Sequence, residues 1–147
     1  MPLAERASTA VWTGDLMSGS GELSFGTGAL PNTPVSWAAR TVSPDGKTSP
    51  EELLAAAQAA CFAMALSGRL AREGHPPERL EVEARCTLDR VDDKPTVTRM
   101  DITVQGTVPG LGESEFQEAA EATATGCPIA RALSDSIQHS ITASLAM

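Results

Sequence analysis

From Leu53 to Leu66 the chain carries a single polar side chain, Gln58, within a run of helix formers that continues to Arg72 as LLAAAQAACFAMALSGRLAR. The start of this run is well signalled. Ser49 suits the N-cap, Pro50 the first helical position, and Glu52 stands where a capping box places its carboxylate. Gly74, Pro76 and Pro77 end it. A helix apolar on nearly every side must be covered on every side. One small domain struggles to do that for its longest helix, so the run predicts a central helix packed against its counterpart in a second copy of the chain. The alanines permit close approach of the two.

The rest of the chain reads as strands and short helices. Thr9–Gly14, Glu22–Gly26 and Val35–Val42 are expected strands separated by Gly- and Pro-containing breaks, with a turn at Ser43-Pro44-Asp45-Gly46. After the long helix, Leu80–Asp92 and Thr96–Val108 alternate: Val82, Ala84, Cys86 and Leu88 on one parity, Glu83, Arg85, Thr87 and Asp89 on the other. This predicts an antiparallel hairpin with one buried face. A helix is expected over Glu115–Thr125, a second from Cys127-Pro128 to Ser134, and a last strand alternating from Ile137 to Leu145. The order βββ-α-ββ-α-α-β is α+β with antiparallel sheets. With no repeat or low-complexity segment, residues 1–147 are expected to form one domain.

Composition narrows the function. The net charge of −8 argues against a nucleic-acid binder, which needs a basic surface. No stretch of about 18 apolar residues is free of charge, so no membrane span is expected. The first residues carry Glu5 and Arg6 and no apolar block of signal-peptide type, which makes the cytoplasm the expected location. Three scattered cysteines do not make a secreted disulfide framework, and no CxxC, HExxH, GxxxxGK[ST], GxSxG or GxGxxG pattern occurs. What remains is the setting of the cysteines.

Cys61 lies mid-helix among apolar neighbours. It reads either as core filling or as a thiol activated by a nearby cation, since apolar burial alone makes a thiol inert. Cys127 precedes a helical Pro, where it serves as an unusual cap or is favoured as a thiolate. Cys86 and His139 fall on the apolar parity of their strands and read as core residues, and His75 as a solvated one. Arg40, among Trp37, Ala38, Ala39 and Val42, and Glu51, in the first turn of the long helix, are either surface charges or a pair at the end of a buried pocket. Glu51 stands ten residues before Cys61, about 15 Å along a helix, so only the long side chain of Arg40 would bridge to the thiol.

The run from Thr48 to Ser67, TSPEELLAAAQAACFAMALS, resembles the signature helix of the OsmC/Ohr proteins, named for osmotic induction and organic hydroperoxide resistance. Gly126-Cys127-Pro128-Ile129 resembles the family's second-cysteine motif. Trp12-Thr13-Gly14-Asp15 and the hairpin turn Asp89-Arg90-Val91-Asp92-Asp93 favour the OsmC branch. The resemblance implies an intertwined homodimer that reduces organic hydroperoxides, and hydrogen peroxide more weakly, in oxidative or osmotic stress. It makes Cys61 the peroxidatic cysteine, Cys127 the resolving cysteine, Arg40 the activating cation and Glu51 its carboxylate partner. A dithiol reductant, of lipoyl type, would restore the enzyme, and no metal or prosthetic group is implied. Many OsmC-branch members have His where this chain has Gln58, and Gln cannot titrate. The alternative on the same fold is a non-enzymatic binder of a small hydrophobic ligand.

Overall fold

The computed structural model describes residues 1–146; Met147, the last residue of the expected domain, lies outside the described residues. The chain forms two compact units, residues 1–53 and the remainder from Leu54 onward.

The first unit holds a three-stranded antiparallel sheet in the order β1 (Ser8–Thr13), β2 (Ser20–Phe25), β3 (Thr33–Val35). The third strand is shorter than the alternation of Val35–Val42 suggests. Ser36 adopts an extended conformation and its hydroxyl accepts from the Ala39 N–H at 3.0 Å, which starts a short helix, α1 (Trp37–Thr41). Arg40 therefore sits on a helix and not on a strand. The long helix α2 (Pro50–Arg72) begins where its capping residues place it. Ser49 Oγ accepts from Glu52 N–H at 3.2 Å, while the Glu52 carboxylate accepts from the Thr48 hydroxyl at 2.5 Å in place of closing the box on the Ser49 backbone.

Within the second unit α2 buries one stripe, Gln58, Phe62, Leu66 and Leu70, four residues apart and hence on one helix face. They meet the inner face of a second sheet, ordered β4 (Arg79–Val91), β5 (Lys94–Thr107), β6 (Gln138–Leu145), through Met100, Ile102 and Val104. The hairpin turn is made by Asp92 and Asp93, both with positive φ (52° and 62°), the backbone that a two-residue hairpin of matching twist requires. β6 runs parallel to β5, which alters the expected antiparallel sheet. The cause is the connection: α3 (Glu113–Thr123) and α4 (Pro128–Leu133) carry the chain back to the end of the sheet from which β5 started. Alternation along the strand encodes the buried face and not the direction. Gln117 of α3 then clasps the edge strand, accepting from Ala143 N–H at 2.8 Å and donating to the Ile141 carbonyl.

By length and composition α2 is apolar enough to cross a membrane, with mean hydropathy 1.4. Of that apolar window 22% is buried within the chain, along the stripe of α2 that packs into the core of the second unit. Its other faces are not all covered within the chain: Met64 is 74% exposed.

Candidate active site

The four residues singled out from the sequence form two pairs, one in each unit. In the first unit the Arg40 guanidinium engages a single oxygen of Glu51, with Nε at 2.9 Å and Nη2 at 2.7 Å from Oε1. Two charge-assisted bonds of this length fix the guanidinium plane. The Trp37 ring one turn earlier lies 5.8 Å from the guanidinium carbon, within cation–π range. Glu51 is buried, and its second oxygen, Oε2, has no hydrogen-bond partner among the described residues. Arg40 also borders a cavity of about 530 Å³ lined by Trp12, Leu16, Leu23, Val35, Trp37 and Leu53. The sequence did not reveal Trp37 as a partner of Arg40. Read as strand residues the two fall on opposite faces; read as helix residues three apart they share one.

In the second unit Cys61 and Cys127 lie within disulfide-bonding distance, their Cα atoms 5.9 Å apart across a sequence separation of 66. Cys127 occupies the N-cap position of α4, with Pro128 at the first helical position, and is fully buried. Cys61 is half-buried and borders a cleft of about 550 Å³ lined also by Met64, Arg69, Arg72 and Pro128. Gln58, one turn before Cys61, donates from Nε2 to Cys127 Sγ at 3.8 Å, a separation set by the size of sulfur. This contact joins residues 69 apart and carries no local signal in the sequence.

The remaining candidates fall elsewhere. Cys86 is half-buried on β4 and lies opposite Met100, which is opposite His139 on β6. The His139 Nδ1 lies 3.1 Å from the Ile137 carbonyl, and its buried Nε2 has no partner among the described residues. Among the described residues no group of His, Cys, Asp and Glu is arranged to hold a metal ion. A charge cluster outside the pairs is on the second sheet. There Arg99 and Ser140 both donate to Asp101, at 2.7 and 2.5 Å, and these bonds hold the Asp101 carboxyl below its ordinary range.

A mixed α+β chain that holds a mid-helix cysteine at disulfide distance from a cysteine before a helical proline has the pair that dithiol redox chemistry requires. Residues 43–142 match the family described as OsmC-like protein. Peroxiredoxin OsmC of Escherichia coli (strain K12) is 36% identical over 124 residues, covering 84% of this chain and 86% of that one. Two solved structures share the fold. An organic hydroperoxide resistance protein OsmC from Legionella pneumophila has a TM-score of 0.80 and 19% identity, covering 98% of this chain and 99% of its own. The organic hydroperoxide resistance protein OhrB of Bacillus subtilis has a TM-score of 0.75 and 20% identity, covering 94% and 98%. The chain belongs to the OsmC family. Its kinship with a curated peroxiredoxin makes it a peroxidase-type enzyme.

Proposed function

We propose that this protein reduces organic hydroperoxides, and hydrogen peroxide more weakly, to the corresponding alcohols by a two-cysteine cycle. The observation that carries the reading is the Cys61–Cys127 pair at bonding distance. In this cycle the Cys61 thiolate attacks the terminal oxygen of ROOH; the O–O bond breaks, ROH leaves with a proton, and Cys61 becomes a sulfenic acid. Cys127 sulfur then attacks the Cys61 sulfur. An S–S bond forms, the S–O bond breaks, and hydroxide leaves as water with the thiol proton of Cys127. An external dithiol, of lipoyl type, reduces the disulfide and is itself oxidised.

Arg40 is assigned the role of the fixed cation that favours the Cys61 thiolate, and Glu51 that of holding it. Arg cannot give up its proton, so it stabilises the charge without competing for it. The bond pair from Arg40 to Glu51 supports this division of labour. The apolar cavity bordered by Arg40 in the first unit supports binding of an alkyl group, because each methylene buried there is worth roughly 0.8 kcal/mol. We further propose that residues 1–147 act as a single OsmC-like domain in a cytoplasmic homodimer, in which the partner covers the apolar positions of α2 left exposed in one chain.

The same cavity favours the second reading, a non-enzymatic carrier of a small hydrophobic molecule. One experiment separates the two. Reduced protein is mixed with one equivalent of an organic hydroperoxide and its intact mass recorded beside Cys61→Ser. Loss of two hydrogens in the wild type alone, mapped to a Cys61–Cys127 link, supports the peroxidase. Unchanged thiols with stoichiometric binding of a lipid support the carrier.

A further inference from the structure

The sulfur of Cys127 is buried, and the side chain of Gln58, itself 0% exposed, donates to it. The carboxamide is used at one end only. Its Nε2 faces the sulfur, whereas its Oε1 is buried with no hydrogen-bond partner among the described residues. That orientation follows from the chemistry of the oxidised pair: a disulfide sulfur has no proton to give, so only an N–H can face it favourably. A buried carbonyl oxygen left unpaired is costly, and structures seldom keep one without a use.

We propose that Gln58 is a positioning residue for the resolving sulfur, serving Cys127 in both of its redox states. The inference rests on the two-cysteine cycle above. In the reduced protein the Cys127 thiol carries a proton, and rotation of the amide brings Oε1 round to accept it, satisfying the atom left unpaired in the disulfide. When that proton leaves, the amide N–H is the donor that stabilises the attacking thiolate and holds it on the line to Cys61. The step is the one written above: S–S formation, S–O cleavage and departure of water. Gln58 takes no proton at any point. It therefore governs disulfide closure and not reduction of the peroxide.

The test separates the two half-reactions in Gln58→Met, which keeps the length of the side chain and removes both hydrogen-bonding groups. With one equivalent of cumene hydroperoxide, the rate of Cys61 oxidation is followed by trapping with dimedone, and closure by intact mass, each across pH. Oxidation of Cys61 is expected to stay within about twofold of wild type. Closure at neutral pH is expected to slow about tenfold or more, as loss of a hydrogen bond to a charged sulfur implies, with its pH profile displaced upward. Gln58→His, which regains a donor, is expected to restore the rate and to add a titration in the histidine range to closure only. Closure with wild-type rate and pH profile in Gln58→Met overturns the proposal, as does an equal fall in both steps. If Gln58→Met does not fold, Gln58→His decides: a closure profile without the added titration overturns it. If wild type itself forms no disulfide with peroxide, the peroxidase reading fails. The role of Gln58 is then read from iodoacetamide labelling of Cys127 in reduced protein. An upward shift of its pH midpoint in Gln58→Met sustains that role, and an unchanged midpoint overturns it.

Discussion

Arg40 and Glu51 show how much a single oxygen can organise. Both guanidinium bonds converge on Oε1, which leaves Oε2 unpaired in a buried setting. Lys in place of Arg40 supplies the charge and not the fork. Arg40→Lys is therefore expected to slow the first oxidation of Cys61 roughly tenfold or more, matching a lost charge-assisted bond of about 1.5–3 kcal/mol. Stopped-flow kinetics with an alkyl hydroperoxide measure this, and a wild-type rate would remove Arg40 from the mechanism. Asp101 makes a different kind of prediction. Bonds from Arg99, then Ser140, together with the charge of Arg99, lower its folded-state pKa below the ordinary carboxylate value. Its contribution to stability is thus present above about pH 4 and is lost as pH falls through the lower folded value. In urea titrations, Asp101→Asn should be slightly less stable than wild type at neutral pH, with the difference closing in strong acid.

At the scale of elements, the helix α2 was legible because every local signal agrees: Ser49, Pro50 and Glu52 at its start, helix formers throughout, and Gly and Pro after its end. The strands β4 and β5 were legible from parity. Two features were not. Trp37–Thr41 alternates well enough to pass for a strand, and only the Ser36 cap marks it as a helix. The parallel pairing of β6 depends on how α3 and α4 route the chain, which alternation does not record. The same split holds for the site. Of the proposed site residues, Cys61, Cys127 and Glu51 stand in the two cysteine motifs and Arg40 lies outside them, whereas the Gln58–Cys127 contact exists only through folding. Element packing gives its own prediction at Gly106 of β5, where a Cβ would meet Phe116 Cζ at 2.6 Å. Phe116 is fully buried and cannot swing clear. Gly106→Ala is expected to cost about 1–3 kcal/mol by overpacking, seen as a lower urea midpoint; an unchanged midpoint would show that α3 yields freely.

For the whole molecule, the exposed Met64 is one of the apolar positions of α2 that a homodimer is proposed to cover. Sedimentation equilibrium is expected to give twice the chain mass, and Met64→Glu to shift the protein toward monomer. A monomeric wild type would refute that assembly. The Cys61–Cys127 link has a consequence for the molecule as a polymer. It ties residues 66 apart, so the oxidised chain is a closed noose around β4, β5 and α3, while the reduced chain is an open string. Closing a loop of that length removes freedom from the unfolded chain worth about 4 kcal/mol. Calorimetry of the two forms should find the oxidised protein melting at the higher temperature. Each turnover would then raise and lower the resistance of the fold to unfolding, and the enzyme waiting for substrate would be the less stable of its two forms.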